Sequence, residues 1–132
     1  MAQQNNKIVP RVIIADDSPE ICMTLKRTLE LCNSEVIAEA ENGEKAIELI
    51  EQHKPDMVFL DIEMPVKNGF EVLNAIKERN IPVCSVMLSG HSSKENLIKS
   101  VQKGALGFIV KPHTQEKVQD VISSYIKSRT DK

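Results

Sequence analysis

Short apolar runs alternate with helix-period segments along the whole chain. The runs are Arg11–Ala15 (RVIIA), Glu35–Ala40 (EVIAEA), Met57–Leu60 (MVFL), Val83–Leu88 (VCSVML) and Leu106–Val110 (LGFIV). Three of them are continuously apolar and rich in β-branched residues, the pattern of strands covered on both faces. The second interleaves Val36, Ile37, Ala38 and Ala40 with Glu35 and Glu39. A strand with that much charge belongs at a sheet edge, where the carboxylates meet water.

The segments between the runs carry helix signals. Ser18-Pro19 supplies an N-cap and a proline at the first helical position, and Ile21, Leu25, Leu29 and Cys32 then recur on one face. Asn42-Gly43 opens a second helix bearing Ala46, Ile47 and Ile50, closed before Pro55. Asn68-Gly69 precedes a third, with Val72, Leu73 and Ile76, which ends at Ile81-Pro82. Ser92 and Glu95 form a capping box ahead of Leu97, Ile98 and Val101, and Gly104 suits the residue just past that helix. A fifth helix carries Val118, Val121, Ile122 and Tyr125 on one face. Strand and helix in strict alternation predict βαβ units with right-handed crossovers. The expected fold is α/β, flavodoxin-like: one doubly wound, five-stranded parallel sheet with five helices. With the charged second strand at the edge, the strand order is 2-1-3-4-5. The domain is expected over residues 8–128, with 1–7 and 129–132 as flexible tails.

Composition narrows the function. A chain of 132 residues, 41% hydrophobic, is one domain with a real core. A formal charge of −2 gives no electrostatic hold on nucleic acid or anionic lipid. With 3% aromatic residues and no Trp there is no stacking platform for bases or flavin rings. No apolar run approaches the roughly 20 residues that span a bilayer, and MAQQNNKIVP lacks the apolar core of a signal peptide. Cys22, Cys32 and Cys84, without CxxC or Cys/His spacing, fit reduced thiols in a cytoplasmic protein and no zinc site.

Sites in open α/β sheets form beyond the carboxyl ends of the strands, where the strand order reverses. Asp16 and Asp17 follow the first run, Asp61 the third, Ser89 the fourth, and Lys111-Pro112 the fifth. Order 2-1-3-4-5 puts the first and third strands side by side, so three carboxylates meet, with a hydroxyl and an ammonium next along. Crowded carboxylates repel and need a cation, and a hard divalent ion such as Mg²⁺ suits an all-oxygen site of few protein ligands. Asp61 would then have a metal on one side and Lys111 opposite, which matches the charge of an incoming phosphoryl group. Ser89 can hydrogen-bond a phosphate oxygen. An X-Pro bond can be cis, and a cis Lys111-Pro112 bond would aim the lysine into the pocket.

These residues carry a resemblance. Asp16-Asp17, Asp61 in FLDIEMPVKNGFEVL, Ser89-Gly90 after ML, Lys111-Pro112 in GALGFIVKP, and AENGEKAIELI between them resemble the receiver domains of two-component response regulators, over about residues 10–127. The resemblance implies that Asp61 is the phosphoacceptor, and that Asp17, with Asp16 partly through water, holds Mg²⁺. It adds the backbone carbonyl of Glu63 as a metal ligand, Lys111 as the phosphate's ion-pair partner, Ser89 as a hydroxyl switch and Phe108 as an aromatic switch. Glu63 and His91 would flank the phosphate. The phosphoryl donor is then a histidine kinase or a phosphotransfer protein. An output protein, or a second copy of the domain, would dock on about residues 92–127, with no DNA-binding element in this chain.

Bland readings accompany several of these residues. An Asp pair before a helix is often a cap, but Ser18 already fills that role. Phe108 alternates with Leu106 and Val110, which by itself means core packing. His53 and His113 sit in polar helix-end contexts with no ligand partner nearby in sequence. The competing activity is a phosphohydrolase that forms an aspartyl-phosphate, but such enzymes of the haloacid dehalogenase class carry Asp-x-Asp, where this chain reads Asp61-Ile62-Glu63. A dinucleotide or flavin site would need G-x-G-x-x-G where the chain has Ala15-Asp16-Asp17-Ser18-Pro19-Glu20.

Overall fold

The structure is a computed structural model that describes residues 8–91 and 93–130. Five strands alternate with five helices: β1 Arg11–Ala15, α1 Pro19–Leu31, β2 Glu35–Ala40, α2 Gly43–His53, β3 Met57–Asp61, α3 Gly69–Glu78, β4 Cys84–Ser89, α4 Lys94–Gln102, β5 Gly107–Val110 and α5 Gln115–Thr130. All strand pairings are parallel and the order is β2-β1-β3-β4-β5. The charged β2 is an edge strand, as its glutamates require.

Side chains alternate across the sheet and build a core on each face. Val12, Ile14, Met57, Phe59, Leu88 and Ile109 pack with Leu25 and Leu29 of α1 and Val118, Ile122 and Tyr125 of α5. Ile13, Val58, Leu60 and Met87 pack on the other face with Ile47 and Ile50 of α2 and Val72, Leu73 and Ile76 of α3. β3 is buried on both faces, so the one charged residue at its end, Asp61, is held by a rigid strand.

Polar side chains start the helices as their sequences predict. Ser18 accepts the Ile21 N–H, Asn42 accepts the Lys45 N–H, and Asn68 and Glu71 form a reciprocal capping box. At α4 the cap is Ser93, which accepts the Asn96 N–H at 3.2 Å. The expected Ser92–Glu95 box therefore gives way to a cap one residue later, and Ser92 lies outside the described residues. Adjacent hydroxyls make either start chemically acceptable. Gly104 takes φ +87°, the left-handed conformation of a helix C′ residue.

Other boundaries move as well. α3 ends at Glu78, with Asn80 left-handed at φ 52°, before Ile81-Pro82 is reached. β3 and β4 extend to Asp61 and Ser89, so both are the last residues of strands instead of the first residues of loops. α5 continues through Thr130, so Arg129 and Thr130, expected in a polar tail, are helical, and Arg129 donates to the Tyr125 hydroxyl at 2.6 Å. The expected tail at 1–7, and residues 131–132 of the one expected at 129–132, lie outside the described residues. The apolar residues of α4 are not core: Leu97, Ile98 and Val101 are 44%, 46% and 64% exposed, and Ser100 is the buried residue of that helix.

Candidate functional site

Parallel pairing aligns Ala15 with Leu60, which brings the residues following these two together at the carboxyl edge of the sheet. Asp16 leaves β1 with its N–H donating to the Ala40 carbonyl, and its side chain is buried. The Ser18 N–H donates to Asp16 Oδ1 at 2.9 Å. Asp17 is exposed at the rim, and Asp61 is buried at the end of β3. One carboxylate oxygen from each of the three lies within 4.8 Å of the others.

Lys111 reaches this cluster from the end of β5. Its N–H continues the ladder by donating to the Ser89 carbonyl at 2.7 Å, and the Lys111-Pro112 bond is cis. The ammonium lies 2.7 Å from Asp16 Oδ2 and 3.2 Å from Asp61 Oδ1. The ammonium therefore bridges two acids and stands nearer Asp16 than Asp61. The Glu63 N–H donates to Asp61 Oδ1 at 3.2 Å, so both of these contacts fall on one oxygen of Asp61. The Glu63 side chain turns outward, 3.9 Å from His91 Nε2. Ser89 is buried, and its hydroxyl donates to the His91 carbonyl at 3.0 Å while accepting the His91 N–H at 3.1 Å. Phe108 is half-buried and lines a cavity of about 230 Å³ with Leu97 and Val101 of α4.

Electrostatics follow from this crowding. Burial pushes the Asp61 carboxyl up to about 6, and the charge of Asp16 adds to it, against the opposing pull of Lys111 and the Glu63 N–H. Burial disfavours the Lys111 charge, yet hydrogen bonding and charge attraction from Asp16 and Asp61 outweigh it and raise its pKa. One ammonium cannot neutralise three carboxylates. Asp16 Oδ2 is buried, and the Lys111 ammonium at 2.7 Å is its one close cationic partner among the described residues. Three clustered carboxylates that share a single ammonium fit a hard divalent cation.

Other residues shape the site, and motif reading does not reveal them. Gly69 begins α3 so close to the strand end that a Cβ there would meet the Asp61 carbonyl at 2.6 Å. Gly43 likewise lets α2 start against the Lys67 carbonyl, where no Cβ fits. Both follow Asn, and Asn-Gly announces a helix start without saying which backbone it approaches. Between them Val66 takes φ +70°, strained for a β-branched residue, in the loop after Asp61. His113 is half-buried against α1, with Nε2 3.0 Å from Thr28 Oγ1.

Comparison with known proteins agrees with this geometry. Residues 12–123 match the family model described as the response regulator receiver domain. The chain is 37% identical over 113 residues to the chemotaxis protein CheY of Bacillus subtilis, covering 86% of this chain and 94% of that protein. The solved receiver domain of NarL from Mycobacterium tuberculosis superposes with a TM-score of 0.84 at 31% identity, covering 92% of this chain and 98% of that one. CheY of Borrelia burgdorferi, solved in a complex with CheX, BeF₃ and Mg²⁺, gives a TM-score of 0.82 at 30% identity, with 88% of each chain covered. Sheet order, acidic strand ends and these similarities together establish that the chain belongs to the receiver domains of two-component response regulators, signalling modules that bind Mg²⁺ at an acidic site and work with histidine kinases and output proteins.

Proposed function

We propose that Asp61 accepts the phosphoryl group, taken from a phosphohistidine of a kinase or phosphotransfer protein. The observation that carries this reading is the convergence of Asp61 with Asp16, Asp17 and Lys111 at the end of a doubly buried strand. The described contacts of the Asp61 carboxylate sit on Oδ1, which leaves Oδ2 to form the new O–P bond. As that bond forms, the N–P bond of the donor breaks and the imidazole leaves with the bonding pair, taking a proton from solvent. Mg²⁺, when bound, would neutralise phosphate and carboxylate charge together. Asp17, Asp61, Asp16 partly through water, and the Glu63 carbonyl are the residues to hold it. Lys111 pairs with a phosphate oxygen once the carboxylate charge it now shares is redistributed.

The signal then passes through Ser89 and Phe108. A phosphate of roughly −2 charge at Asp61 needs donors. To serve it, the Ser89 hydroxyl gives up both hydrogen bonds to the His91 backbone and turns inward. The loop after β4 follows, and Phe108, already against the α4 cavity, moves further under the helix. Exposed Leu97, Ile98 and Val101 lie on the surface of about residues 92–127 that changes shape, and they suit an output protein or a second copy of this domain. We place this work in the cytoplasm; among the described residues no helix is long and apolar enough to cross a membrane.

The test that separates this reading from a phosphohydrolase uses two small donors. Acetyl phosphate with Mg²⁺ should leave one labile phosphoryl group per chain by intact mass, and p-nitrophenyl phosphate should not be turned over catalytically. Sustained release of p-nitrophenol that Asp61→Asn abolishes would point to the enzyme instead.

A further inference from the structure

We infer that His113 is the positioning residue for Lys111, clamping the loop after β5 to the C-terminal half of α1. This rests on the role just proposed for Lys111. The loop has few ways to hold its shape. Lys111 donates its N–H back to Ser89, and Pro112 has no N–H to donate. His113 is next, and its ring turns inward to α1, with Nε2 3.0 Å from Thr28 Oγ1.

We assign the direction of this hydrogen bond from the neighbours of Thr28. Thr28 has one hydroxyl hydrogen, which it donates to the Thr24 carbonyl at 3.0 Å. Its oxygen can then only accept, so His113 Nε2 carries the hydrogen. Burial lowers the imidazole pKa, against the smaller opposing pull of the Thr24 carbonyl. One end of the clamp is therefore the helix that begins directly after Asp16 and Asp17. The other end is two residues from the ammonium that lies 2.7 Å from Asp16 and 3.2 Å from Asp61. The ring ties the element that follows two of the acids to the loop that carries the cation. Nothing else in the phosphoryl-transfer chemistry uses His113.

The experiment compares the full chain with His113→Ala and His113→Gln, each with and without Lys111→Ala, by rate of phosphorylation from acetyl phosphate with Mg²⁺. Small misplacements of a catalytic group cost up to about 100-fold, and loosening one loop contact should cost about three- to tenfold. His113→Gln, which keeps an N–H donor, should recover most of the rate, and His113→Ala should slow nothing further once Lys111 is Ala. Equal rates for His113→Ala and the unsubstituted chain, or equal slowing with and without Lys111, would reduce His113 to packing and overturn the clamp. Proton exchange of the Lys111 ammonium, followed by ¹⁵N NMR in metal-free protein, reads the same clamp without any phosphoryl transfer. Faster exchange in His113→Ala supports it even if Asp61 proves not to be the acceptor, and unchanged exchange overturns it.

Discussion

At the scale of single residues, Asp61 joins stability to chemistry. Its carboxyl is pushed from an ordinary 3.8 up to about 6, chiefly by burial and then by Asp16. The folded state therefore holds this proton more tightly than the unfolded chain does. Without a divalent ion, Asp61 should contribute stability below about pH 4 and lose it as pH rises toward 6, a swing on the order of 2–3 kcal/mol. Urea unfolding in EDTA across this range should show the loss, Asp61→Asn should flatten it, and Mg²⁺ should oppose it near neutral pH. A loss of the same size in Asp61→Asn would assign the effect to other groups. Which carboxylates meet was legible from the sequence, because each stands at a strand end. That Lys111 would bridge two of them was not, since its reach depends on where β5 and its loop finally lie. The close approach of Gly69 to the Asp61 carbonyl was equally hidden, because a glycine in sequence does not say which distant backbone it must clear.

Among the elements, α4 stands apart. Helical periodicity correctly finds it, and misleads about its burial: the 3.6-residue spacing of Leu97, Ile98 and Val101 says that one face is apolar, not that another element covers it. Its lysines supply part of its anchorage, Lys99 4.7 Å from the centre of the Phe70 ring and Lys103 donating to Asn74 Oδ1 at 2.9 Å. A helix so lightly buried is suited to the movement proposed for Ser89 and its loop. With beryllofluoride and Mg²⁺ as a phosphate mimic, amide shifts should change at Phe108 and across residues 93–127, and the domain should sample both states beforehand. Ser89→Ala should leave phosphorylation largely intact while weakening this response by a coupling of about 1–3 kcal/mol. A full response in Ser89→Ala would mean that the path to α4 bypasses that hydroxyl.

The whole molecule explains why so much of it could be read in advance. Strand-helix alternation leaves few topologies open, and the glutamates of β2 assign the edge, so the order of five strands follows from local patterns. The order fixes which loops meet, and the acids are found there. Two cores, one on each face, hold β1 and β3 rigidly beneath the site. Asp61 is therefore the decisive residue, and mass spectrometry of the intact chain after incubation with acetyl phosphate and Mg²⁺ tests its role most directly. One phosphoryl group should be added, none when EDTA replaces the metal, and none in Asp61→Asn. Undiminished labelling of Asp61→Asn would contradict the account.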